Sequence, residues 1–154
     1  MPRPPSGPAA SGVLPTARRV RTFPFVPRSA IQLEIGDFWA VSLSAGDLGV
    51  VQVRDLRRSG SGSRSSLVAG VVDWRGGRPP ASADLHGCRV LAQGLTHVRA
   101  ITESGGQILG NAAGTVPVGG LTSAFRDFGV GTSTEVWGWR ALPRIVEQTL
   151  AAAV

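Results

Sequence analysis

The chain has 154 residues, 42% of them hydrophobic, which suits one domain with a real core. Its single cysteine, Cys88, excludes an intramolecular disulfide framework and a zinc site made of several cysteines. The net charge is +6, and arginine supplies every basic side chain apart from two histidines. A basic balance is compatible with a nucleic-acid or acidic partner, but many of these arginines fall in a Pro-rich leader or a Ser/Gly loop, where charges are usually just solvated.

The first 22 residues are rich in Pro, Ser, Gly and Arg. Such a segment cannot bury enough apolar surface to offset the entropy of ordering. It is therefore predicted to be a disordered leader, followed by a single β-rich domain over residues 23–154. No apolar run approaches the roughly 18 residues of a membrane span, and no signal-peptide core is present, so we expect a cytoplasmic protein.

The clearest structural signal is a β-hairpin. The runs Gly36–Leu43 and Leu48–Arg54 are both β-prone and are joined by a small polar connection. A five-residue connection gives a register that pairs Leu43 with Gly49, Val41 with Val51, and Trp39 with Val53. One face of the hairpin is then apolar, as a half-buried antiparallel sheet requires, while Gln52 and Arg54 lie on the other face.

Further strands follow the hairpin. Ser66–Trp74 is nearly continuous in apolar residues, which predicts a central strand covered on both faces. A fourth strand is predicted at about Arg89–Gln93. Residues 96–103 and 107–110 are predicted to pair as a second hairpin around a Ser-Gly-Gly turn.

The last third of the chain is predicted to contain two helices and a strand. After a Gly-rich loop, Leu121–Phe128 is predicted as a short helix, and Thr134–Arg140 as a last strand with Trp137 and Trp139 on one face. A capping-box spacing at the start of that strand competes with this interpretation. Pro143 suits the first turn of a terminal helix.

These elements together predict the fold class. We expect a mainly β (α+β) domain, in which a twisted antiparallel sheet curls toward a small barrel. One or two short helices accompany the sheet, including a C-terminal one.

Residues for catalysis or metal binding are few. His86 and His97 are too few for a histidine-rich metal site, and neither has a partner at metal-ligand spacing. Cys88 with His97 is a conceivable nucleophile–base pair, and an enzyme would need Asp73, His97 and Glu103 to converge in a pocket. We expect no catalytic activity, no metal and no cofactor.

Four tryptophans are a more informative feature: Trp39, Trp74, Trp137 and Trp139. One interpretation is that they are large core residues with a satisfied N–H. The other is that tryptophan and arginine at a rim form the anchors of a protein interface. Exposure of the Trp137 and Trp139 pair would favour an interface, and burial would not.

The first hairpin also carries a family resemblance. Gly36–Leu43 followed by Gly49–Val53 resembles the opening of immunity protein family twenty-six, which belongs to bacterial polymorphic toxin systems. Glu135–Trp139 resembles the Trp-Gly step near the end of such domains. Similar uncharacterised actinobacterial proteins share the patterns at Leu67–Trp74 and Ile101–Gly110.

The resemblance implies a non-catalytic, cytoplasmic immunity-type protein that binds a cognate toxin and blocks its active face. The candidate partner-binding residues are the tryptophans and one arginine: Trp39, Trp74, Arg99, Trp137 and Trp139. The alternative function is a nucleic-acid-binding β-barrel that uses an arginine-rich loop on phosphates. Its candidate residues are Arg54, Arg57, Arg58 and Arg64.

Overall fold

The computed structural model describes residues 20–119 and 135–153. Its strands are β1 (Asp37–Ser42), β2 (Leu48–Leu56), β3 (Ser66–Gly76), β4 (Arg89–His97), β5 (Gly110–Asn111) and β6 (Val116–Pro117). Its helices are α1 (Arg99–Thr102) and α2 (Leu142–Ala152), and 3₁₀ turns cover Ala30–Gln32, Ser82–Leu85 and Trp139–Ala141. The strands form one curled sheet, a half-barrel in the order β5-β1-β2-β3-β4-β6. This confirms the predicted mainly β fold with a C-terminal helix.

The sheet is mixed in direction. All neighbouring strands pair antiparallel except β4 and β6, which are parallel. Neither helix of the described ranges has the length and apolar run needed to cross a membrane.

The predicted hairpin of β1 and β2 is present, but its register differs by two residues. Trp39 pairs with Val51, where the prediction had Val53. The reason is a connection of three residues where five were predicted. The Leu43 N–H donates to the Asp47 C=O at 2.8 Å, and the last loop residue between them is Gly46, with φ +96°. A three-residue hairpin loop that ends in a left-handed glycine is a common solution. Because the shift is an even number, every side chain keeps its predicted face.

The sheet buries apolar side chains on both faces. On the first face, the hairpin and α2 contribute to one large cluster, with members Trp39, Val41, Leu43, Val51, Val53, Leu142, Val146 and Leu150. On the second face, a smaller cluster consists of Phe38, Val50, Val72, Leu85 and Ala112. Between these layers, residues 67–72 of β3 are all buried, which confirms the predicted central strand.

The predicted second hairpin is wrong. Strand β4 continues to His97, and the chain then forms α1 instead of a further strand. Ala100 and Ile101 are neighbours in sequence and are both fully buried, which a strand with one polar face does not allow. A helical turn does allow it, and the Arg99 N–H donates to Nδ1 of His97 at the start of this turn. Strand β5 pairs with the outer edge of β1 instead.

The predicted last strand is also wrong. Among residues 135–140, only Val136 forms a bridge, to Leu95 of β4, and Trp139 already belongs to the 3₁₀ turn that leads into α2. The ring of Trp137 lies on Gly94 of β4, where a Cβ would come within 2.5 Å of Cδ2. This packing places the segment around Trp137 against the sheet.

The C-terminal helix is confirmed, with Pro143 in its first turn. The predicted helix Leu121–Phe128 lies outside the described residues.

A buried ion pair fixes the start of β1. Asp37 is fully buried, and both of its carboxylate oxygens accept a hydrogen bond from Arg21 at 2.7 Å. The same carboxylate accepts from the Glu34 N–H and from the Asn111 side chain. Arg21 lies within the predicted leader, so the described fold includes at least this residue of it. The pair joins the N-terminal segment, β1 and β5.

Removing the Asp37 carboxylate should destabilise the fold strongly. Asp37→Ala removes the acceptor of four hydrogen bonds, two from Arg21 and one each from Glu34 and Asn111. It should lower the free energy of unfolding by about 3 kcal/mol. Asp47→Ala is the matched control, because Asp47 forms an exposed pair with Arg75; exposed pairs contribute about 1 kcal/mol or less. Urea denaturation measures both, and equal losses would contradict the role of Asp37.

The position of Trp137 gives a second stability prediction. Gly94→Ala should destabilise the domain by about 2 kcal/mol, since the new methyl group overlaps the indole ring. Gly77→Ala is the control, because a Cβ at Gly77 meets no atom within 4 Å. Thermal unfolding monitored by tryptophan fluorescence compares the two variants. A stable Gly94→Ala variant would show that Trp137 does not lie on β4.

Candidate partner-binding surface

The structure separates the four tryptophans. Trp39 is fully buried, and Trp137 is 5% exposed with its indole N–H donating to Glu135 at 2.8 Å. Burial leaves little of either ring for a partner to contact, so both are weak candidates for the interface. Trp74 is half-buried at the end of β3 and lines an open cleft of about 500 Å³. Trp139 is half-buried at the other side of the sheet, next to α1 and α2.

Trp139 lies in a small cluster with Arg99 and His97, which we call the Trp139 surface. The Arg99 guanidinium carbon is 5.4 Å from the centroid of the Trp139 ring, within the range of a cation–π interaction. The His97 ring is tilted against the same indole, with centroids 5.8 Å apart. Three elements therefore meet here: the end of β4, the start of α1 and the 3₁₀ turn before α2.

The local backbone explains why these three side chains meet. His97 is the last residue of β4, and its Nδ1 accepts the Arg99 N–H at 3.0 Å, which fixes the imidazole beside the first turn of α1. Thr96 donates its hydroxyl to the Trp137 C=O at 2.8 Å. This bond holds the segment that carries Trp139 against the same end of β4.

The polar groups of this surface are incompletely used. Within residues 20–119 and 135–153, Trp139 Nε1 is a buried donor with no acceptor, and Arg99 is exposed and forms no ion pair. An indole and an arginine side chain in contact provide apolar area, a hydrogen-bond donor and a positive charge at one point. These are the properties of residues that dominate the energy of protein interfaces.

The arginines of the alternative function do not form one surface. Arg54 is half-buried on the second face of the sheet, where it donates to Gln52, Gln93 and Thr115. Arg57, Arg58 and Arg64 are exposed, in or beside the loop between β2 and β3. Arg58 also donates to the Leu33 C=O at 2.9 Å. Three of the four predicted arginines therefore remain together at the surface.

The residues required for an enzyme are not brought together. Ser66 of β3 pairs with His97, and Asp73 lies seven residues further along β3, which places it about 23 Å from the His97 end of the sheet. Asp73 instead pairs with Arg89 at 2.7 Å. Glu103 is exposed after α1, at the His97 end. The convergence of these three side chains that an enzyme would need is therefore not formed.

Cys88 is also separated from His97, because the two residues lie at opposite ends of β4. The pKa of the Cys88 thiol is raised, first by burial and then by the nearby carboxylates of Asp73 and Asp84. A raised pKa favours the thiol over the reactive thiolate. In the part of the chain that the structure describes, no group of three or more His, Cys, Asp and Glu side chains could hold a metal ion.

Comparison with known proteins gives no relative for this chain. No family model, no curated protein and no solved structure matches it at a significant level.

Proposed function

We propose that the chain is a non-catalytic, cytoplasmic protein-binding domain of the immunity type, which binds a cognate bacterial toxin and blocks it. The observation that carries the proposal is the Trp139 surface, where two of the candidate partner residues, Arg99 and Trp139, are in contact. The resemblance to immunity protein family twenty-six supplies the class of partner.

The contacts of Trp139 suit it to binding. No hydrogen bond within the described residues holds its indole; the ring contacts Arg99 and His97 and packs against the large apolar cluster. A partner can therefore shift the ring without breaking a hydrogen bond, and an acceptor that reaches Nε1 satisfies a donor that is otherwise buried and unpaired. A carboxylate on the partner would complement the positive charge of Arg99.

Alanine substitutions at this surface should weaken the complex. We expect Trp139→Ala and Arg99→Ala each to reduce affinity for the toxin encoded by the neighbouring gene by at least tenfold, because aromatic and arginine anchors carry most of the binding energy of an interface. Isothermal titration calorimetry measures the affinity, and co-expression with the toxin measures protection.

The matched control is Arg78→Ala, which removes an exposed arginine beside Trp74 and away from the Trp139 surface. It should leave binding and protection unchanged. Circular dichroism melts confirm that each variant is folded. Full protection by folded Trp139→Ala and Arg99→Ala variants would refute this surface as the interface, and absence of any toxin next door would count against the immunity role.

A second function is supported by the exposure of Arg57, Arg58 and Arg64 around one loop. If this loop binds duplex DNA through three phosphates, log Kobs should fall with log[salt] with a slope of about −3. Replacing the three arginines by glutamine should remove both the binding and the slope, as measured by fluorescence anisotropy with a labelled duplex. Binding that is absent at low salt, or that survives the triple replacement, would exclude this function.

A further inference from the structure

The second face of the sheet contains a polar group that neither proposed function uses. Gln52 of β2 pairs with Gly70 of β3, and Gly70 pairs with Gln93 of β4, so the three residues form a row across the centre of the sheet. A Cβ at Gly70 would lie 2.8 Å from Cγ of Arg54 and 3.1 Å from Cδ. The Arg54 side chain therefore lies in the space that glycine leaves, between the two glutamines.

The Arg54 guanidinium is held in one orientation. Its Nε donates to Oε1 of Gln93 at 3.2 Å, and its Nη1 donates to Oε1 of Gln52 and to Oγ1 of Thr115, both at 3.0 Å. These acceptors are themselves fixed. The Thr115 hydroxyl donates to Gln52 Oε1 at 2.8 Å, and the Gln52 amide nitrogen donates to the C=O groups of Gly36 and Ala112. Reorganisation of this network on binding would break several buried hydrogen bonds.

All three acceptors are neutral. Across residues 20–119 and 135–153, Arg54 forms no ion pair, and Nη2 donates no hydrogen bond to protein. The nearby buried carboxylate, Asp37, is already paired with Arg21. Burial lowers the pKa of Arg54, and no carboxylate opposes this effect. A half-buried cation without an anion is an unfavourable arrangement that a bound anion relieves.

We propose that Arg54 is the anchor of a binding site for a small oxyanion of the phosphate class, which accepts hydrogen bonds from Nη2. Arginine presents its N–H groups in a rigid fork that matches phosphate oxygens, and Gln52, Gln93 and Thr115 hold this fork in place before the anion arrives. The site is separate from the Trp139 surface and does not depend on the existence of a protein partner.

The test is a titration of the full chain with inorganic phosphate, monitored by the ¹H–¹⁵N NMR signals of backbone amides and arginine Nε–H groups. We expect saturable shifts at Gln52, Arg54 and Thr115. Arg54→Gln should reduce the phosphate affinity by about tenfold or more, since the lost contact is a charge-assisted hydrogen bond. Arg78→Gln removes the same charge from an exposed position and should change the affinity by less than about twofold.

Two further variants keep the test decisive. Thr115→Val retains the Arg54 charge but removes one acceptor of Nη1, so it should weaken phosphate binding. It provides the test if Arg54→Gln fails to fold. Asp127 supplies the one carboxylate side chain outside the described residues, and Asp127→Asn tests whether the chain provides its own oxyanion. Phosphate binding that appears only in Asp127→Asn would overturn the proposal of an external ligand. The proposal would also be overturned if neither the unaltered chain nor any variant bound phosphate, or if the Arg54→Gln and Arg78→Gln variants bound it with equal affinity.

Discussion

The sheet is covered on both faces at its centre, and this constraint governs the rest of the molecule. Residues 67–72 of β3 are all buried, and the side chains of Gln52 and Asp37 are fully buried in the same sheet. A fully buried polar side chain cannot rely on water and must find its partners within the protein. Gln52 meets this requirement with all of its hydrogen-bonding groups, since its nitrogen donates to two carbonyls and its oxygen accepts from Arg54 and Thr115. Asp37 meets it through Arg21 and Asn111.

These satisfied polar groups also determine how the short outer strands are attached. Strand β5 has only two residues and β6 only two, and strands so short gain little from backbone pairing alone. Asn111 of β5 donates to Asp37, while the residues before β6 are held by Gln52 through Ala112 and Thr115. Side-chain hydrogen bonds thus connect the long central strands to the short outer ones.

The central strands could be predicted from sequence because their signal is local. Alternation of Trp39, Val41 and Leu43 predicts which side chains of β1 face the large apolar cluster, and this prediction is confirmed. The predicted loop was two residues too long, which shifted the predicted register by two residues. The end of β4 could not be predicted, because alternation continues weakly through residues 96–100 and the cap formed by His97 on Arg99 is not visible in a pattern of polar and apolar residues. The Trp139 surface joins residues about 40 positions apart, so only the packing of the 3₁₀ turn on β4 brings them together.

Glycines within the strands are the feature that best connects sequence to site. Each of the three central strands has one where a side chain from elsewhere lies close against the backbone: Gly49 faces Val146 of α2, Gly70 faces Val90 and Arg54, and Gly94 faces Trp137. Glycine weakens a strand, so its presence inside a strand marks a position where another group approaches closely. The C-terminal helix packs at Gly49, and the segment that carries Trp139 packs at Gly94. At Gly70 the approaching group includes Arg54, a cation that pairs with no carboxylate of the described residues. The first two are close approaches within the large apolar cluster, whereas the third places a charge on the sheet, and that difference is the reason to assign a ligand to Arg54.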